Sequence, residues 1–277
     1  MSFSRFYSIF SMMHDRETVI EIKDLVVSYG DRTVLDGVNL TICKGESLAI
    51  LGKSGCGKST LLRHILGLSK PTSGQILIKG NDITALDDDE RIKILKKIGM
   101  LFQSAALFNS MSVEDNVALP LREHTELEDR IIKIMVNMKL ESVGLSGFNK
   151  LRPAQLSGGM KKRAGLARSL AMDPEILFCD EPSAGLDPVV AAGIDNLILN
   201  LKKAFKMTIV VVTHELASVQ IIADKIAMMH QGKILKVGKT EELQNSSNPV
   251  IRKFFDRVPD DEEVDKEAYL STLTQED

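Results

Sequence analysis

No stretch constrains the fold of this chain more than residues 52–60, GKSGCGKST, which follow the apolar run SLAIL and lead into LLRHIL. The spacing is G-x-x-x-x-G-K-S, set between a strand pattern and a helix pattern. Gly52, Gly55 and Gly57 allow the backbone to turn with positive φ and aim its N–H groups inward. The helix that follows adds unpaired N–H donors and the positive end of its dipole. Such a loop cradles phosphates, with Ser54, Cys56 and Thr60 also among the expected contacts. Lys58 is expected on the β- and γ-phosphates and Ser59 on Mg2+.

The chain has 277 residues, 44% of them hydrophobic and 26% charged, enough for one large core plus a subdomain or tail. No run approaches the roughly 18 apolar residues of a membrane span, so a membrane role is expected only through a partner. The net charge of -3 hides an asymmetry: residues 256–277 hold nine acids and two bases, leaving +4 on the rest. So weak a basic excess gives no reason to expect nucleic acid as a partner. Cys43, Cys56 and Cys179 show no C-x-x-C spacing, which fits a reducing compartment. MSFSRFYSIFSMM at the start makes a poor signal peptide, with one basic residue and no small-residue cleavage site. Residues 1–16 are expected to be an extension, and Met12 or Met13 is an alternative start.

Apolar, β-branched runs at 19–29, 47–51, 97–102, 175–180, 208–214 and 225–230 read as strands. Helical patterns between the later ones argue for a parallel sheet with crossover helices. Residues 19–42 and 73–83 read instead as a small antiparallel element. The expected organisation is a nucleotide-binding domain over 17–247, a helical subdomain over about 104–165, and a C-terminal acidic tail over 248–277.

A phosphate loop alone leaves the chemistry open, so the other strand ends matter. ILFCDEP ends in two carboxylates. Asp180 is expected to hold Mg2+, and Glu181 to orient and polarise an attacking water. Burying such a pair without a cation would be costly, which argues against a purely structural role. In VVVTHE, His214 ends a further strand; alone it would read as structural, but its place after the Asp180–Glu181 strand favours a role in hydrolysis.

The stretch 156–188, LSGGMKKRAGLARSLAMDPEILFCDEPSAGLDP, resembles the ATP-binding cassette (ABC) ATPases. The resemblance implies an α/β P-loop NTPase of RecA-like fold, with an antiparallel β-subdomain and a helical signature subdomain. It makes LSGG the signature, with Ser157, Gly158 and Gly159 facing the γ-phosphate of ATP held by another subunit. Asp187 in SAGLDP would lie at a dimer interface, Gln103 would sense Mg2+ and face the membrane subunit, and Tyr29 would stack on adenine. Read singly, LSGG can be a helix cap, Tyr29 a strand residue and Gln103 a strand end. One departure stands out: Met160 occupies the fifth signature position, usually Gln, followed by Lys161, Lys162 and Arg163. Activity is expected to survive, with the change altering the surface beside the signature helix.

That motif, with FNSMSVEDNVALPLREHT at 108–125 and NPVIRKFFD at 248–256, resembles the ATPases of Mla-type lipid transporters across roughly 17–256. ATPases tied to solvent tolerance and to MCE transporters look similar. The resemblance implies a homodimer that hydrolyses ATP with Mg2+ and powers an MlaE-like permease. An MCE-domain (MlaD-like) protein and a small STAS-domain (MlaB-like) subunit would complete the complex. The chain would then sit on the cytoplasmic face of the inner membrane, with phospholipid moving between the membranes of a Gram-negative envelope. The ATPase of another ABC importer, or a soluble non-transport ABC ATPase, remains an alternative. The tail offers Tyr269, Leu270 and Leu273 after a charged spacer, open to anchoring on a partner subunit or to disorder.

Overall fold

The computed structural model of the chain describes residues 17–258. The expected extension (1–16) and residues 259–277, with Tyr269, Leu270 and Leu273, lie outside the described residues. Two sheets organise what is described. β1 (Thr18–Tyr29), β2 (Arg32–Cys43), β4 (Ser73–Ile78) and β5 (Asn81–Asp82) form an antiparallel sheet in the order β2-β1-β4-β5. β3 (Ser47–Leu51), β6 (Ile98–Leu101), β7 (Ile176–Asp180), β8 (Thr208–Thr213), β9 (Lys225–His230) and β10 (Lys233–Gly238) form the second, in the order β10-β9-β3-β8-β7-β6. All its pairings are parallel except β9 with β10.

The parallel strands are apolar along their middles because both faces of their sheet are covered. β7 shows how the period of two divides the core. Ile176 and Phe178 point into one cluster with Ile50, Val210 and Val212, completed by Ile20 and Ile22 of the antiparallel sheet and by Leu61 and Ile65 of α1 (Lys58–Ile65). Leu177 and Cys179 point the other way, into a cluster built by helices. There α3 (Val113–His124) and α4 (Asp129–Ser142) contribute Val117, Leu121, Ile132 and Val136. α5 (Gly158–Ser169) adds Ala164, Leu166 and Ala167, and α6 (Pro188–Phe205) adds Ile194 and Ile198. α2 (Asp88–Leu95) buries no residue.

Past β8, α7 (Leu216–Ile222), α8 (Thr240–Gln244) and α9 (Pro249–Phe255) cover Ala49, Leu51 and Met228 with Val219, Leu243 and Ile251. Asn248 caps α9 by accepting from the Val250 and Ile251 amides, and Pro249 occupies the first helical position, where its missing N–H costs nothing.

Phe178 is wholly buried between the two sheets. Phe178→Ala is expected to lower unfolding free energy by about 3–5 kcal/mol in denaturant titration. Val189→Ala, at a site 82% exposed, should change it by less than about 0.5 kcal/mol.

Candidate functional site

Parallel pairing sets Leu51 beside Thr213 and Val212 beside Asp180. The loop after β3, the turn after β8 and the carboxylates ending β7 therefore open side by side at the carboxyl edge of the sheet, where open α/β folds bind ligands.

The loop is shaped by what it touches. A Cβ on Gly52 would lie 2.3 Å from the Met229 carbonyl oxygen, and one on Gly57 2.8 Å from Leu35 Cδ2, so the loop passes β9 and β2 with no room for a side chain. The Gly232 amide donates to the Cys56 carbonyl at 3.0 Å and braces the loop from the β9–β10 turn. Burial pushes the Cys56 thiol up, in keeping with a packed side chain. Gly57 caps α1 at φ 108° with no side-chain acceptor, and no acid stands in the helix's first turn. The first-turn N–H groups therefore have no local side-chain partner and suit an anion. Lys58 is 6% exposed, and its Nζ donates to the carbonyls of Gly52 (2.7 Å) and Lys53 (2.9 Å). Ser54, Gly55 and Ser59 are exposed and Thr60 is half-buried.

The carboxylates are held unequally. Glu181, almost buried, has a left-handed φ of 45°, and its amide donates to the Val212 carbonyl at 2.8 Å. Its Oε2 accepts from Thr213 Oγ1 at 3.0 Å, while Oε1 lies 2.8 Å from His214 Nδ1. Both oxygens are thus fixed from the end of β8. Asp180, half-buried, has its carboxyl pushed up by burial and by the Glu181 charge, against the pull of Lys58, Lys162 and Arg63. Asp180 and the Ser59 hydroxyl are oxygen donors of the kind a hard cation such as Mg2+ takes, and a cation beside Asp180 would relieve the penalty on its carboxylate.

The remaining sequence-predicted residues fall into separate groups. Ser157 caps α5, its Oγ accepting from the Met160 amide at 3.3 Å. A Cβ on Gly158 would meet Leu186 Cδ2 at 3.1 Å, and one on Gly159 would meet Val190 Cγ1 at 2.7 Å. The signature therefore packs on the stretch where Asp187 caps α6 by accepting from the Val189 and Val190 amides. Gln103 is exposed just past β6. Tyr29 is 56% exposed at the turn of the β1–β2 hairpin.

Two residues escape the sequence reading. Thr213 shows only as a polar residue ahead of His214, and its bond to Glu181 depends on the β7–β8 pairing. Lys162 stands in the sequence only as one of the basic residues after Met160, where the departure from the usual signature is expected to alter the surface beside the helix. Its side chain turns inward and is 5% exposed, donating to the carbonyls of Glu181 (2.8 Å) and Gln103. Met160 is half-buried and packs against the helical core. The reason is helical phase: α5 turns this side toward the sheet, where a cation finds backbone carbonyls. Burial lowers the Lys162 pKa, opposed by the nearby acids.

The family model described as ABC transporter matches residues 35–184. The chain is 44% identical over 239 residues to the intermembrane phospholipid transport system ATP-binding protein MlaF of Haemophilus influenzae, covering 86% of this chain and 90% of that protein. It is 43% identical over 236 residues to the probable ribonucleotide transport ATP-binding protein mkl of Mycobacterium leprae, covering 85% and 68%. Among solved structures, the ATP-binding cassette MJ0796, a dimer in a post-hydrolysis state bound to ADP and Pi, superposes with a TM-score of 0.73 at 33% identity, covering 79% of this chain and 98% of that one.

Because the Asp180 carboxyl is raised in the folded state, its ionisation opposes folding. That stability is lost as pH rises from the unfolded value of about 4 through the folded one. Without nucleotide or divalent ion, Asp180→Asn should therefore melt at a higher temperature than wild type at pH 7, with the gap closing near about pH 4.

Proposed function

The chain belongs to the ABC transporter family as an ATP-hydrolysing subunit, and from that premise we propose that Lys58, Asp180, Glu181 and His214 hydrolyse Mg2+-bound ATP in a two-chain sandwich that drives a separate phospholipid permease. The observation that carries the reading is Glu181, with one carboxylate oxygen held by Thr213 and the other beside His214, next to a loop shaped for phosphate.

In this mechanism the inward N–H groups of 52–59 and the Lys58 ammonium bind the phosphates and offset the charge gathered in the transition state. Asp180, Ser59 and Gln103 would hold Mg2+, which when bound would supply positive charge against the phosphates. Glu181 orients the attacking water and draws its proton, while Thr213 and His214 keep the carboxylate pointed. Tyr29 supplies an exposed ring for adenine. Ser157, Gly158 and Gly159, on α5, close over ATP bound by a second copy, and Asp187 lies at that interface. A head-to-tail pair of such half-sites closes under twofold symmetry, which supports a homodimer.

Phospholipid is the cargo we propose, on the strength of the 44% identical MlaF relative that matches nearly end to end. Another ABC importer would share the catalytic residues. On our reading an MlaE-like permease, an MCE-domain protein and a STAS-domain subunit complete the assembly at the cytoplasmic face of the inner membrane. No described helix is long and apolar enough to cross a membrane.

The docking face we propose is a groove of about 630 Å³ lined by Phe102, Phe108, Leu119 and Met172. Phe108 is 52% exposed, yet its backbone is fixed on both sides by buried Asn116, whose Oδ1 accepts from its amide at 2.8 Å and whose Nδ2 donates to its carbonyl at 3.1 Å. An aromatic held out to solvent on a pinned backbone suits an apolar segment of the permease better than it suits a loop. Phe108→Asp should lower recovery of the chain with its permease from native membranes, and lipid transfer with it, by at least about tenfold. ATP affinity should stay within about twofold of wild type, since no residue of the phosphate loop lines the groove. Normal assembly and transfer would remove the docking face.

A further inference from the structure

Lys162, Gly165 and Arg168 recur every three residues along α5 and share one side of the helix. That side faces the loop after β6. Arg168 Nη1 donates to the Ala106 carbonyl at 2.7 Å, and its Nη2 donates to the Ala105 carbonyl at 2.9 Å. A Cβ on Gly165 would stand 3.0 Å from Ala105 Cβ, so the helix comes close because this position is bare. Ala105 and Ala106 have left-handed φ values of 60° and 47°, a conformation that successive non-glycine residues adopt only when their surroundings impose it. Lys162 donates to the Gln103 carbonyl in the same loop, and its second bond runs to the carbonyl of Glu181, also left-handed.

We propose that Lys162 is a positioning residue that ties the loop after β6 to the backbone of Glu181, with Arg168 holding the far half of that loop. One buried ammonium serves two strained turns, and releasing either carbonyl would leave a buried charge under-paired. Ala106 and Arg168 also line the groove that holds Phe102 and Phe108. A shift at the groove would therefore reach the backbone of Glu181 through one side chain and two hydrogen bonds, with no change needed in the β-sheet. The link rests on Glu181 acting on the attacking water, as proposed above.

Steady-state ATP hydrolysis by the full chain in its native membrane complex tests this. Lys162→Met keeps the stem and removes the donors, and should lower kcat by at least about tenfold with KM for ATP within about twofold. Lys162→Arg should restore kcat to within about threefold, because a guanidinium can again serve two carbonyls. Unchanged kcat in Lys162→Met, or no recovery in Lys162→Arg, overturns the link. Glu181→Gln in the same assay separates the two ideas. If it turns over normally, the reading of Glu181 falls and the link with it; if it is inactive while Lys162→Met is unaffected, only the link falls. A second measurement needs no substitution at Lys162. In Arg168→Met, amide hydrogen exchange should rise over 103–108 and over 180–184 together, whereas a rise confined to 103–108 would contradict the coupling even if Lys162→Met fails to fold.

Discussion

The pairing of β3 with β8, and of β8 with β7, is the constraint on which the site depends. It puts three chain segments, the first more than 100 residues from the other two in sequence, at one sheet edge. Register matters as much as adjacency. A slip of one residue in β7 would exchange Phe178 with Cys179 between the two cores and turn the strand end away from Thr213. The same buried packing that stabilises the domain therefore sets the aim of Glu181.

Around that edge the molecule holds several locally costly arrangements. Glu181, Ala105 and Ala106 are left-handed without being glycine. Asp180 carries a carboxyl that burial disfavours, and α1 begins without a capping side chain. Each is a local cost borne by the large apolar core. On the proposed mechanism Glu181, Asp180 and the start of α1 bear on the attacking water, a cation and a phosphate, while the alanine pair lies between the docking groove and Lys162.

Features written locally were legible in the sequence. The glycine loop is recognisable because its backbone geometry demands those residues at those spacings, and Asp180–Glu181 because paired acids at a strand end ask for a cation. The antiparallel element could be read from its turn residues and alternation. β10 was not, since KILKVG is only partly buried and its alternation is weak. Thr213 and Lys162 were illegible for another reason. Their bonds to Glu181 span 32 and 19 residues, and depend on which strands pair and which way α5 faces. A lysine after a signature reads as a surface charge until the helix is seen to aim it at two carbonyls.

We place half of each catalytic site in the loop at 52–59 and the other half in the signature at 157–159 of a second copy. Mixing two defective chains probes that division. Lys58→Ala and Ser157→Arg chains, each alone, should fail to associate on addition of ATP, as followed by light scattering. Mixed, they place both lesions in one site of the heterodimer and leave the other site whole, so ATP-driven association should return. Failure of the mixture to associate, as complete as that of either chain alone, would contradict a site shared between two chains.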